Sequence, residues 1–205
     1  MEMSTVIKLS CRVAMIKGDD RYENIAQALA LIEDEVDLSD KKHILIKPNF
    51  VSTRRQLAAT HVDAVRAVLD WLRPRYDGSI TIGEGAATSD TFDGYRNFGY
   101  LALAEEYDVR FVDLNQDEWG PVEVYDQSLR PMGVRVARTT LESDFRISVG
   151  PPKTHDAVIV TLSLKNMIVG SLIRGRGGGF FQMLGQLLPE PLTNSALAER
   201  VKSHL

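Results

Sequence analysis

Short apolar runs alternate with stretches of helical periodicity along this chain, and each run ends in a polar or glycine-containing cluster. His43-Ile44-Leu45-Ile46 leads into Lys47-Pro48-Asn49, and Ser79-Ile80-Thr81-Ile82 into Gly83-Glu84-Gly85. Val109-Arg110-Phe111-Val112 leads into Asp113-Leu114-Asn115. Phe145-Arg146-Ile147-Ser148-Val149 leads into Gly150-Pro151-Pro152-Lys153-Thr154-His155. Runs of this kind, separated by helix-like stretches, fit parallel strands buried on both faces. The strand–helix alternation is that of right-handed crossover units, so the expected fold is α/β, a three-layer domain with a mostly parallel sheet. Ligands of such sheets settle in the crevice beyond the carboxyl ends of the strands. The clusters at those ends therefore predict one composite site.

The stretches between the runs support this order. Tyr22, Ile25, Leu29, Ile32 and Val36 recur at helical spacing, after an opening strand expected over Val6 to Ile16. Thr60 is placed to cap a second helix, with Asp63 three residues on and Val62, Val65, Val68, Leu69 and Leu72 as its buried face. Asp93 is the expected cap of a third helix that turns Tyr95, Phe98, Leu101 and Ala102 inward. The interval 119–139 breaks the pattern. Pro121 to Tyr125 and Val134 to Ala137 alternate polar and apolar residues around Pro131-Met132-Gly133, which predicts an inserted antiparallel hairpin.

Composition narrows the function. The chain has 205 residues, 44% hydrophobic and 25% charged, enough for one domain with a real core. Its net charge of -4 argues against general attraction to nucleic acid or to an anionic membrane. The single cysteine, Cys11, excludes an internal disulfide and a cysteine-only metal or iron–sulfur site within one chain, and predicts a reducing cytoplasm. No apolar stretch approaches the roughly 20 residues that cross a bilayer.

The strand-end residues offer a defined chemistry. Lys47 brings three donors to an anion and Asn49 a donor and an acceptor, although a solvated lysine and a local turn bond are the plainer reading of both. Gly83 and Gly85 permit close backbone approach, and Glu84 between them is a candidate base, metal ligand or ribose partner, or simply a solvated turn residue. Lys153 is suited to a carboxylate or phosphate, and His155 to proton transfer. Lys165 and Asn166 follow the apolar run 158–162, where an unpaired ammonium is costly. Lys165 therefore pairs with a carboxylate such as Glu84 or Asp113, or meets an anionic ligand. His61, at the first turn of the second helix, is a further candidate anion contact. The phosphate-loop glycine-lysine pattern, the Gly-x-Ser-x-Gly elbow and a helical histidine pair are all missing, so no metal site is expected. The segment Arg174 to Gly179 reads as a flexible glycine-rich loop.

Taken jointly, Ile-Lys-Pro-Asn-Phe-Val at 46–51, Ala-Thr-His at 59–61, Ile-Gly-Glu-Gly at 82–85, Pro-Lys-Thr-His at 152–155 and Ser-Leu-Lys-Asn-Met-Ile-Val-Gly at 163–170 resemble the family called domain of unknown function 362. The resemblance covers roughly residues 40–172 and implies an α/β fold with a shared site, without supplying a reaction. Some relatives look like fusions to ferredoxin-type modules, which implies a separate redox partner for a chain without the cysteines. A looser, topological likeness links the chain to the N-terminal half of nickel-pincer lactate racemases, which place basic and histidine residues at strand ends around a phosphorylated cofactor. The leading expectation is a protein that binds a small anionic substrate or phosphorylated cofactor through Lys47, Lys153 and Lys165. Asn49 and Asn166 orient the ligand, and Glu84 and His155 are the proton-transfer pair. The alternatives are a non-catalytic adaptor for an iron–sulfur or electron-transfer partner and a racemase-like enzyme.

Family members usually run on past the Lys-Asn segment into another glycine- and acid-containing block. Together with a final helix exposing Leu197, Val201 and Leu205, this predicts a unit that is not self-sufficient: a truncated product or a homo-oligomer.

Overall fold

The computed structural model describes residues 11–126, 128–155 and 159–173. The expected glycine-rich loop at 174–179 and the last apolar helix at 194–205 lie outside the described residues. In chain order the elements are α1 (Arg21–Ala30), β1 (His43–Lys47), α2 (Val62–Leu72), β2 (Ser79–Glu84), α3 (Thr91–Asn97), α4 (Leu103–Glu106) and β3 (Val109–Asp113). They continue with β4 (Trp119–Tyr125), β5 (Pro131–Ala137), α5 (Arg138–Glu142), β6 (Phe145–Ser148), β7 (Lys153–His155), β8 (Ile159–Thr161) and α6 (Ser163–Val169).

Ile44 and Ile46 alternate with Leu45 and Lys47 along β1, and all four are buried. A strand closed on both faces is central, and β1 lies between β2 and β6 in a parallel sheet of order β3-β2-β1-β6. The main core fills one face. Ile44, Ile46 and Ile82 meet Val65, Val68, Leu69 and Leu72 of α2 and the rings of Tyr95, Phe98 and Tyr100. Burying a side chain of this size contributes about 1.5–3 kcal/mol. Phe50, just past β1, makes edge-on contacts with Tyr95, Phe98 and Tyr100 at centroid distances of 5.5, 5.4 and 5.2 Å, and so anchors the segment that leaves β1.

The order of strands matters more than their number. The chain steps from β1 to β2 to β3 in one direction, then returns to lay β6 on the other side of β1. The carboxyl ends of β1 and β6 thus flank the point where the winding reverses, the place where open α/β sheets hold ligands.

The expected hairpin is present, with β4 and β5 paired antiparallel from Trp119↔Ala137 to Tyr125↔Pro131. Its turn is displaced. Pro131, Met132 and Gly133 belong to β5, and Asp126 closes the turn by exchanging backbone and side-chain bonds with Arg130. The small hairpin of β7 and β8 was not expected at all, because Lys153 to His155 carry a loop-like composition.

Other expectations are corrected. The described part of the opening segment, residues 11–16, forms no strand. Arg12 instead binds Asp34, Glu35 and the Leu31 carbonyl, clasping the chain beyond α1 rather than joining the sheet. The first helix stops at Ala30, and Glu33–Glu35 form a separate 3-10 turn. The cap of α2 is His61 and not Thr60, whose hydroxyl accepts from Asn49 N–H at 2.8 Å and donates to the Val149 carbonyl at 2.6 Å. The cap of α3 is Asp90 and not Asp93, since the Asp90 carboxylate accepts the Asp93 N–H. Leu101 and Ala102 face solvent because Tyr100 and Leu103 take the core positions.

No described helix is long and apolar enough to cross a membrane.

Candidate functional site

Lys47 closes β1 and is fully buried, a position an ammonium tolerates only when every hydrogen is accepted. Its Nζ donates to Glu84 Oε2, to Asn166 Oδ1 at 3.1 Å and to the Pro48 carbonyl at 3.3 Å, three acceptors for three hydrogens. Glu84, at the end of β2, is buried as well, and its Oε1 accepts the Phe50 N–H at 2.8 Å. Both carboxylate oxygens are therefore engaged. Sequence reasoning assigned Lys47 to anion binding and Glu84 to proton transfer. The structure instead makes them each other's counter-charge, under a covering layer.

That layer is α6. Asn166 is buried and lies against the ends of β1 and β6, with Nδ2 facing the Lys47 and Pro48 carbonyls at 3.3 and 3.2 Å and Ser148 Oγ at 3.0 Å. Its Oδ1 also accepts from Asn49 Nδ2 at 3.0 Å. The helix ends on Gly170, where a Cβ would stand 2.6 Å from Lys47 Nζ. Only a glycine lets the chain pass so close to the ammonium.

From Asn49 the network reaches the open side. Asn49 Oδ1 accepts from Lys153 Nζ, which also lies 3.4 Å from the Pro151 carbonyl. Glu84, Lys47, Asn166, Asn49 and Lys153 thus form one hydrogen-bonded chain, from a sealed ion pair to a half-buried amine. Partial burial lowers the Lys153 pKa below the ordinary lysine value. Glu84 opposes that shift, while Lys165 and Lys47 add to it. The structure places Lys165 near enough to act on Lys153, and the partner of Glu84 is Lys47.

Beside this chain lies a cavity of about 400 Å³ at the switch between β1 and β6. Ala59, Thr60 and His61 wall it on the β1 side, Val149, Gly150, Pro151 and Pro152 on the β6 side, and Arg21 and Ile25 of α1 complete it. Among the described residues its lining holds Arg21 and His61 and no carboxylate. His61 Nδ1 faces both the Asp63 N–H, at 3.3 Å, and the Asp63 carboxylate, at 3.1 Å. Unprotonated, that nitrogen caps α2; protonated, it pairs with the carboxylate. In either form Nε2 carries a hydrogen and remains available to donate.

Of the remaining candidates, Gly83 and Gly85 are buried and serve packing. A Cβ on Gly83 would stand 2.8 Å from Leu45 Cδ1, and one on Gly85 would stand 3.0 Å from Asn115 Oδ1. His155 lies on β7, paired through its backbone with Ile159, and its side chain lies outside what is described. Sequence reasoning missed Arg21, Thr60, Ser148 and Gly170 as parts of the site. Thr60 gave a signal as a supposed helix cap and in the 59–61 motif, and Gly170 as the end of the 163–170 motif.

The family described as "Domain of unknown function (DUF362)" matches residues 44–199, three quarters of the chain and every strand end of the site. No curated protein matches the chain. Neither comparison bears out the looser likeness to lactate racemases.

Proposed function

The chain belongs to the DUF362 family, and from that premise we propose that it binds a small anionic substrate or phosphorylated cofactor in the crevice between β1 and β6. The observation that carries this reading is a cavity lining that, among the described residues, is basic and carboxylate-free, with the half-buried Lys153 next in sequence to its Pro151 and Pro152. Arg21 offers a planar fork of donors and His61 Nε2 a single one, while Lys153 brings a compact charge. The apolar residues Ile25, Ala59 and Ala64 of the same lining offer the ligand's body an apolar surface.

Lys47 and Asn166 take a supporting part. The sealed Lys47–Glu84 pair fixes the end of β1, and Asn166 transmits that position to Asn49 and so to the Lys153 amine. Reactivity, if the protein is an enzyme, then centres on Lys153 and His61, not on Glu84.

A thermal-shift series with nucleotides, inorganic phosphate and simple carboxylates tests the reading. A ligand at a hundred times its dissociation constant stabilises the fold by about 2.7 kcal/mol. The expected result is a shift with at least one class that is abolished in Arg21→Ala and in Lys153→Ala. If no anion moves the transition, the crevice reading fails, and the adaptor for an electron-transfer partner is the reading that remains.

A further inference from the structure

A second cavity, of about 490 Å³, lies between the β4–β5 hairpin, α5 and α6. It shares no lining residue with the crevice, and its occupant does not depend on the anion proposed there. We propose that this cavity binds an aliphatic carboxylate, a fatty acid of medium chain length, with the chain along the hairpin and the carboxylate on Arg146. The hairpin supplies the apolar floor. Val122, Val124, Val134 and Val136 recur with period two and so share one face. Of these only Val134 is buried, together with Leu172 beyond α6, while the other three are partly open. At the rim, Ile168 of α6 and Leu141 of α5 are 56% and 40% exposed. Apolar surface left in water gains free energy when it is covered. The volume lies within the range of about 300–1,000 Å³ in which proteins hold small ligands.

Charge decides the class of ligand. Among the described residues Arg146 is the one charged member of this lining. Phe145 and Ile147 pack on the main core, so Arg146 between them projects from the opposite face of β6. Its Nε donates to the Thr140 carbonyl at 2.7 Å and its Nη2 to the Leu141 carbonyl at 3.4 Å, which fixes the plane of the guanidinium. A guanidinium carries five N–H donors, so the edge formed by Nη1 and the other Nη2 hydrogen remains. Among the described residues no carboxylate pairs with that edge, whereas Arg12, Arg66, Arg75, Arg96, Arg130 and Arg138 each hold one.

The hydroxyls of the lining do not compete for the ligand. Thr140 Oγ1 donates to Ser171 Oγ at 3.1 Å, and Ser171 Oγ donates to the Met167 carbonyl at 2.6 Å, so both hydrogens are spent inside the wall. What stays open is a planar fork of donors at the edge of an aliphatic surface. A carboxylate matches that fork with two parallel bonds. An alcohol would leave the charge unmet, and an anion without an aliphatic body would leave the valines wet.

The test is isothermal titration calorimetry on the full chain with decanoate, octanoate and decanol. The expected result is a single decanoate site, with octanoate weaker by up to about fourfold for each methylene removed. Decanol should bind about tenfold or more weakly than decanoate, the factor for losing a hydrogen bond to a charged group. Arg146→Met keeps the aliphatic stem and should weaken decanoate by the same factor while leaving decanol unchanged. Because that variant also gives up the two α5 carbonyls, Ile168→Asp is the second probe. It sets a like charge at the exposed rim, touches neither carbonyl, and should weaken decanoate more than decanol. Equal affinity for decanoate and decanol overturns the proposal, as does decanoate binding that both variants leave intact. Binding lost in Arg21→Ala but kept in Arg146→Met belongs to the crevice and overturns it too. No binding at all means that the cavity is closed by protein, whether residues 174–205 or a second copy, and the proposal fails.

Discussion

The Lys153 amine donates to the Oδ1 of Asn49, a residue 104 positions earlier, across the gap between the ends of β6 and β1. The same Asn49 donates through Nδ2 to Asn166, so one amide couples the open amine to the sealed ion pair. Asn49→Asp places a carboxylate against Lys153 and removes the donor to Asn166. The Lys153 titration should move up, towards or beyond the ordinary lysine value, because an opposite charge favours the ammonium. A lysine Nζ NMR titration measures this directly, and an unchanged Lys153 midpoint would show that the two side chains are not coupled in solution.

Lys47 and Glu84 are expected to behave as a unit. Lys47→Met leaves a buried carboxylate with one oxygen unmatched and should destabilise the fold by about 3–5 kcal/mol. Adding Glu84→Gln removes the stranded charge while keeping an acceptor for the Phe50 N–H, and should recover more than half of that loss. Denaturant unfolding of the two single variants and the double variant checks the coupling. Simple additivity would mean that the pair does not form.

Gly170→Ala tests the close passage over Lys47. The backbone there is ordinary right-handed helical, φ -75°, so the expected loss of about 1–3 kcal/mol is steric. Gly133→Ala is the control, since a Cβ at that position meets nothing within 4 Å. Equal melting temperatures for the two variants would remove the argument for α6 as a tight cover.

Lys153 should lower the stability of its own fold. Its pKa in the folded chain lies below the ordinary 10.5, so between the two values the unfolded chain binds the extra proton. Stability is therefore reduced below the folded pKa and recovers as pH rises towards 10.5. Lys153→Met should accordingly be more stable than the parent at neutral pH, with the difference narrowing at alkaline pH. A less stable variant at neutral pH would make Lys153 a structural residue.

Much of the sheet was legible because strands buried on both faces are short apolar runs with little else to become, and the runs ending at Ile46, Ile82, Val112 and Val149 all became core strands or their exits. The neighbours of those strands were not legible. That β6 lies beside β1 depends on tertiary packing, yet it decides which polar clusters meet. Lys47 looked like a ligand contact because a lysine is ordinarily exposed, and its partner lies 37 residues away. Thr60 has the chemistry of a helix cap, but a hydroxyl that joins β1 to β6 across 89 residues cannot also serve α2. Local propensity placed these residues near the right elements, and long-range hydrogen bonds chose their jobs.

Asn166 emerges from the ribosome 119 residues after Lys47. Until it arrives, the Lys47 ammonium and the Glu84 carboxylate can form the end of a sheet that is still open to water. In the folded chain α6 lies against that pair, through Asn166 and through Gly170 at its end. A chain halted before that helix lacks the Asn166 acceptor and the Gly170 backbone that lie against Lys47, and its innermost charges are expected to stay wet.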